Sequence, residues 1–546
     1  MYNKTKALFI VCLFILTINH AQDLSSQIDT YLASVYSSNE PGVSILVAKN
    51  GKSIYRKAFG KANLELDVPL KSENIFEIGS ITKQFTAVSI LMLEEQGKLN
   101  LTDEITKFIP DYPTHNKTIT IHHLLNHTSG IKSYTSMSSF ISKARTDMKP
   151  TELIDVFKNE PMDFDPGEKF LYNNSGYILL GYIIEVITGD TYENFIENNI
   201  FKRIGMTSSF YGSKKELILN RASGYQKQSN YVNADYLSMS LPYAAGSIMS
   251  TVDDLLKWQN AISANTFISR ISLEKAINGS VLNNGEKIPY GYGWFKGIIN
   301  GSTAIAHSGG IFGYTTNGIY LPKEDIYVIA LSNCNCKNVS FVAKKIAAMA
   351  IGKPYPEIKD AISLSKDKLQ KWVGTYEFDN NTIRYISLED GQLNSLRENS
   401  KYKIYPITDS YFIFEDVTIS YQFSLQSNGK KQVIFKNDNE TSIGKEIDKD
   451  PPAEKKELQL SPTILKQYIG KYELQPGFII EITVDDTKIF EQATGQPKFE
   501  IFAEKEDSFF LKVVSASIIF SKDDNGKITS LTLNQGGKKM IGKKVE

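Results

Sequence analysis

The sequence predicts an α+β chain: an antiparallel sheet flanked by helices, followed by two small antiparallel β domains. Two observations carry that reading. Up to about residue 350, strand-like stretches come from both ends and helix-like stretches from the middle, the order produced by an antiparallel sheet with helices on its faces. Beyond them the chain repeats itself: Leu369-Gln-Lys-Trp372-Val-Gly374-Thr-Tyr376-Glu377 recurs as Leu465-Lys-Gln-Tyr468-Ile-Gly470-Lys-Tyr472-Glu473. A period of about a hundred residues is too long for a solenoid unit and right for tandem domains.

Bulk properties narrow the function. At 546 residues the chain needs more than one core. Its 61 basic and 61 acidic residues cancel, and no long basic run occurs, which argues against nucleic acid and against electrostatic attraction to a membrane. Lys4 and Lys6 precede an apolar run from Ala7 to Ile18, with Ala21 before the cut. That is the pattern of a secretory signal over residues 1–21, so the mature protein is expected to be exported, with no integral membrane segment after cleavage. Cys12 leaves with the signal. Cys334 and Cys336 are one residue apart; free thiols and a local disulfide both fit, and neither suggests catalysis.

Taken in order, Gln27 to Val35 reads as a short amphipathic helix. Gly42–Ala48 and Lys52–Phe59 read as strands joined by Asn50-Gly51, a strong hairpin signal. Ile75 to Gly79 is an extended approach to a helix that opens at Ser80, runs through Ala87, Leu91 and Leu93, and stops at Gly97. Asn100 to Glu104 caps another short helix that Pro110 ends. His123 and His127 have the spacing of two metal ligands on one helix face. No acidic residue lies between them and no third ligand is evident, so they read as capping and packing residues, with no metal and no cofactor expected. Lys132 to Thr146 is polar and serine-rich, a surface or lid segment over a cleft.

The turn Asp165-Pro-Gly-Glu168 leads to Tyr172 and Asn174, alternate residues of an extended piece just before an apolar helix from Tyr177 to Val186. Ala245-Gly246-Ser247 precedes a helix start at Ser250 to Asp254. Tyr290–Phe295, Thr303–Ala306, Gly313–Tyr320 and Ile326–Leu331 read as strands, and Val339–Ile351 as a closing helix. Lys353 to Glu357 is a linker. Each tail copy then opens with a short helix and continues as strands, with turns at Asp390-Gly391, Asn428-Gly429 and Asn525-Gly526. Asp448 to Pro462 links the copies. The expected domains are therefore 22–355, 363–447 and 463–546.

Chemistry concentrates at Ser80. At the first turn of a helix its oxygen sits among backbone N–H groups without intrahelical partners, which favours negative charge there. Lys83 lies three residues on, on the same face. A serine hydroxyl needs a neighbour to take its proton, and a lysine does so only when desolvated or near another cation. Ser-x-x-Lys also occurs at Ser129, Ser272, Ser363, Ser400, Ser427 and Ser442, which read as surface pairs; Ser80 stands apart through its preceding glycine, its long apolar helix and two partner motifs. A tyrosine at 172 relays protons once a cation lowers its pKa, and Asn174 holds a substrate amide or the lysine by hydrogen bonds. Ser247 has no base paired with it.

Ser80-Ile-Thr-Lys83, Tyr172-Asn-Asn174 and His307-Ser-Gly309, in that order, resemble the serine β-lactamase and penicillin-binding-protein superfamily pattern S-x-x-K, S/Y-x-N, K-T-G. The likeness is to the class C-like branch and extends to Leu124–Gly130, Pro166-Gly167, Gly205-Met206 and the segment from Ala245 to Trp258. It implies a β-lactamase/transpeptidase-like fold with an all-α subdomain, and tail copies similar to small lipocalin-like, barrel-like domains with a lid, substrate-shaping or binding role. It implies Ser80 as nucleophile of an acyl-enzyme, Lys83 and Tyr172 sharing the proton transfers, Asn174 orienting substrate and lysine, and His307, Gly309 and Gly310 on the substrate side, with the N–H groups of Ser80 and Gly310 as oxyanion hole. The expected partner is a small-molecule or peptide substrate. Histidine at 307 replaces a fixed cation, which ranks ester or small peptide hydrolysis above β-lactam and D-alanyl carboxypeptidase chemistry. A non-hydrolytic penicillin-binding sensor is the alternative of a different class.

Overall fold

The structure, a computed structural model, describes residues 23–397, 400–437, 440–451, 457–475, 478–494, 496–514, 516–535 and 538–545. The expected signal segment and residues 452–456 of the second linker lie outside them. The chain divides into two compact units, one ending at Tyr355 and one beginning at Pro356, within the stretch read as a linker.

The first unit is built on a six-stranded sheet: β1 (Val43–Lys49), β2 (Lys52–Phe59), β3 (Phe295–Ile299), β4 (Ser302–Ile311), β5 (Tyr314–Leu321) and β6 (Ile326–Ser332). The order is β3-β4-β5-β6-β1-β2, and every pairing is antiparallel. Asn50 and Gly51 both take left-handed backbone, at φ 51° and 70°, which a two-residue hairpin turn of this kind demands. Pairing of β1 with β6 closes the unit by joining its two ends, Val43 opposite Ser332.

Val43 to Ala48 and all of β6 are buried, because helices cover both faces of the sheet. Between the strands in sequence lie α1 (Thr82–Glu95), α2 (Asn174–Thr188) and α3 (Val252–Ser263), and after them α4 (Val339–Ala350). The α3 helix packs on β1 and β6, and α4 on β5 and β6. Thr82 through Leu93 of α1 are buried without a break, so this helix runs through the core, packed against α2. The architecture is thus α+β, an antiparallel sheet flanked by helices.

Four local expectations differ from what forms. A single 3₁₀ turn, Gly79–Ile81, precedes α1, so Ser80 sits just ahead of the regular helix. The segment 100–104 is not a helix cap; a 3₁₀ turn, Ile105–Lys107, follows it. Tyr290 to Trp294 is loop, and the strand begins only at Phe295, because Gly293, at φ 86°, lies against the α1 backbone at Lys83 and Gln84. The strand read as ending at Ala306 continues to Ile311, since Ser308 and Gly309 pair with Asn317 and Thr316 of β5.

The second unit holds two closed antiparallel barrels of eight strands each, spanning Gly374–Ile447 and Gly470–Lys544. The repeated tyrosine does the same job in both: the Tyr376 hydroxyl donates to the Trp372 carbonyl and the Tyr472 hydroxyl to that of Tyr468, each at 2.8 Å. Closure leaves no free sheet edge, which suits small β domains beside a larger unit.

Candidate active site

The 3₁₀ turn carrying Ser80 is pressed against β4, and glycine makes that approach feasible. A methyl group on Gly309 would lie 2.0 Å from the Ile78 carbonyl oxygen and 2.3 Å from Thr316 Oγ1. Thr316 Oγ1 donates to that same carbonyl at 2.9 Å, pinning the turn to the sheet. Gly79, at φ 54°, faces the backbone nitrogen of Gly310, 2.9 Å from where its own side chain would begin. Gly310 has open space where a side chain would start and lines the cleft. Of the two glycines expected on the substrate side, Gly309 is therefore a packing residue and Gly310 a cleft residue.

Lys83 is fully buried, with Nζ 3.0 Å from Ser80 Oγ, 2.8 Å from Asn174 Oδ1 and 2.9 Å from the Ala245 carbonyl oxygen. No carboxylate among the described residues pairs with it, and burial holds its pKa well below the usual lysine value. Two of the three partners are acceptors only. A neutral amine has two N–H groups, one each for Asn174 Oδ1 and the Ala245 carbonyl, and its lone pair is left facing the Ser80 hydroxyl.

Asn174 reaches the lysine because its neighbour does the capping. The Asn173 side chain accepts from the Gly176 N–H and ends the extended segment, while Asn174 opens α2 and points into the cleft. Its Nδ2 donates to Thr135 Oγ1 at 3.0 Å, which fixes the amide so that Oδ1 meets Lys83. Thr135, Tyr134 and Phe140 line the cleft, so part of the serine-rich segment 132–146 forms cleft wall.

Tyr172 places its ring 4.9 Å from Lys83 Nζ, measured to the centroid. Its hydroxyl is buried and has no protein hydrogen-bond partner. Burial pushes its pKa above the ordinary tyrosine value. The cation that would have lowered it is absent, since the lysine beside it is the group that gives up its charge.

His307 lies on β4, 2 % exposed, with its ring centroid 6.1 Å from that of Tyr172. Its Nδ1 donates to the Ser308 carbonyl at 2.6 Å, leaving Nε2 to accept from the Tyr290 hydroxyl at 3.1 Å. Burial above all lowers its pKa to about 3, so it is neutral at physiological pH. His127, its ring centroid 4.3 Å from that of Tyr172 and tilted by 44°, is likewise held neutral by burial. Its positive φ of 62° takes it off the short helix Ile121–Leu125, and the His123 ring accepts from the Thr120 N–H in a capping box. The two-ligand face imagined for these histidines does not form. Ser247 is buried and donates to the Met239 carbonyl, which accounts for it without chemistry.

The cleft encloses about 350 Å³ next to Ser80. Leu237, Leu241, Phe312 and Tyr314 add to Tyr134 and Phe140 in its wall, and no charged side chain among the described residues lines it. Sequence reading missed Tyr290, the Ala245 carbonyl and the apolar character of this wall, although the segment 132–146 that supplies Tyr134, Thr135 and Phe140 was read as a surface or lid segment over a cleft.

Ser80, part-exposed, and the buried Lys83 one turn on stand at the head of the core helix, facing a strand of an antiparallel sheet. Residues 24–353 match the Beta-lactamase family model, and the chain belongs to that family. Residues 454–544 match a domain of unknown function, DUF3471. Penicillin-binding protein 4* of Bacillus subtilis is 29% identical over 419 residues, 72% of this chain and 92% of that protein. Protein flp of Staphylococcus aureus is 28% identical over 355 residues, 63% of this chain and 70% of its own length. Among solved structures, the octameric penicillin-binding protein homologue from Pyrococcus abyssi superposes with a TM-score of 0.55 at 27% identity, covering 78% of this chain and 99% of that one. D-amino acid amidase from Ochrobactrum anthropi, at 23% identity and a TM-score of 0.53 over 61% of this chain and 96% of its own, shares the fold.

Proposed function

We propose that the protein is an exported serine hydrolase that acts through an acyl-Ser80 intermediate on an ester or small amide with a neutral, largely apolar acyl group. The observation that carries the reading is the buried Lys83 amine, 3.0 Å from Ser80 Oγ and with no carboxylate paired to it among the described residues. As Oγ attacks the substrate carbonyl carbon, its proton passes to the neutral Lys83 Nζ. The N–H groups of Ser80 and Gly310 receive the developing oxyanion, a contribution of roughly 3–4 kcal/mol per donor in comparable sites. Tyr172, kept protonated by burial, hands its hydroxyl proton to the leaving group and is restored from Lys83. Water then releases the acid by the reverse sequence. Asn174 holds the lysine in place.

The neutral cleft and the neutral His307 favour an uncharged acyl group over a carboxylate-bearing one. This ranks D-alanyl carboxypeptidase and β-lactamase activity second, with the name of the Bacillus relative as its support. Labelling with a fluorophosphonate and intact-mass analysis test the reading. A rapid single adduct that vanishes in Ser80→Ala supports it; an inert protein that still binds penicillin non-covalently would instead mark a sensor.

A further inference from the structure

The first barrel contains a buried cation with no anion beside it among the described residues. Arg384, on the strand Ile383–Glu389, is 8 % exposed, and no carboxylate among the described residues is within ion-pair distance. One Nη1–H donates to the Tyr421 hydroxyl at 3.1 Å, and that hydroxyl also hydrogen-bonds Ser395 Oγ at 2.9 Å. The Nε–H has no partner. Aromatic faces surround the guanidinium: its carbon lies 4.0 Å from the Phe435 centroid and 5.2 Å from that of Phe378. Ring faces attract a cation, but they leave its N–H fork unfilled, and arginine does not shed its charge.

The second barrel shows that the fold does not require this. Tyr376 pairs with Arg384 as Tyr472 pairs with Ile480, so Ile480 occupies the equivalent place. By the same register, with Phe423 matched to Phe520, Ile518 and Leu533 replace Tyr421 and Phe435. Glu491 replaces Ser395 and is itself buried, which pushes its pKa up. The second barrel thus puts aliphatic side chains at three of these places and a buried carboxyl at the fourth, where the first holds a guanidinium with no carboxylate paired to it among the described residues, a costly choice unless an anion completes it.

We infer that the first barrel binds a small apolar carboxylate, its oxygens on the free edge of the Arg384 fork and the Tyr421 hydroxyl, its carbon skeleton against Phe378 and Phe435. A planar carboxylate matches the guanidinium fork, and the ring faces suit an aryl or alkyl remainder. The site is separate from Ser80 and does not rest on the hydrolase reading.

The experiment is calorimetric titration of the full mature chain with 3-phenylpropionate and with its neutral analogue 3-phenylpropanamide. The acid is expected to bind one equivalent about tenfold or more tighter than the amide, as charge-assisted pairing requires. Ser80→Ala should leave that binding unchanged, which separates it from the cleft, whereas Arg384→Met should weaken it about tenfold or more. Tyr421→Phe, which keeps the ring, should weaken it several-fold and serves if the arginine variant does not fold. Arg384→Ile, copying the second barrel, should raise the Tm of the ligand-free protein. No binding of the acid, equal binding of acid and amide, or acid binding that survives both Arg384→Met and Tyr421→Phe would each overturn the inference.

Discussion

The Tyr290 hydroxyl donates to Nε2 of His307 across 3.1 Å, while the other ring nitrogen is committed to the Ser308 carbonyl. Both nitrogens are therefore spent on keeping the ring neutral, at the strand position where the superfamily pattern carries a lysine. His307→Lys restores a charge there. Acylation by benzylpenicillin is expected to rise about tenfold, comparable to a modest gain from one partly desolvated ion contact. Stopped-flow trapping of the penicilloyl adduct by mass reads this out; an unchanged rate would remove His307 as a determinant of carboxylate preference.

Buried neutral histidines also set the response to acid. His307 titrates at about 3 and His123 at about 4 in the folded protein, below the ordinary histidine value, and His127 lies lower than its ordinary value too. Between those folded values and about 6.5 the unfolded chain binds more protons, so stability falls as pH drops through that window. Each group contributes at most about 1.4 kcal/mol per pH unit. Thermal melts of the first unit's transition from pH 7 to 4 should show a steep decline, and His307→Gln should make it shallower.

Ser80→Ala should lower turnover of short-chain nitrophenyl esters by ~10⁴-fold or more, because loss of a nucleophile removes the whole acyl-enzyme route. Lys83→Met should cost nearly as much, since the two act as one unit. In the wild type, kcat/KM should fall as pH drops through the depressed Lys83 pKa, where the amine regains its proton and stops accepting one. Substrate turnover against pH measures this. A flat acid limb would remove the lysine as base.

Two adjacent glycines should behave oppositely. Gly309→Ala drives a methyl group into the Ile78 carbonyl and should both lower Tm and cut activity by about a hundredfold or more, as the turn bearing Ser80 is pushed off the sheet. Gly310→Ala meets open space in the structure and should leave Tm nearly unchanged, with its effect confined to bulky acyl groups. Melting curves and a series of nitrophenyl esters of increasing chain length separate the two.

The structure brings Ser80, Lys83 and Tyr172 close together, and the sheet, the core helix and the two tail barrels were readable from residues. Each rests on a local pattern, such as Asn50-Gly51 at a hairpin, an unbroken apolar helix after a glycine, or Tyr376 repeated at Tyr472. The local reading failed where a distant contact overrode it. Gly293 meets α1 and keeps Tyr290–Trp294 out of the sheet, and pairing with β5 draws His307 to Gly310 into a strand. Asn173 takes the helix cap and frees its neighbour for the lysine.

The sequence alone determined which side chains stand three residues apart on a helix and which stretches alternate as strands, because those relations depend only on backbone geometry near each residue. Whether the Lys83 amine is dry, which way the His307 ring is protonated, what lines the cleft and that Arg384 meets no carboxylate among the described residues were decided by tertiary structure. Desolvation and hydrogen-bond partnership are set by segments beyond the local pattern, 91 and 162 residues away for Lys83, and no helix or strand spacing encodes them.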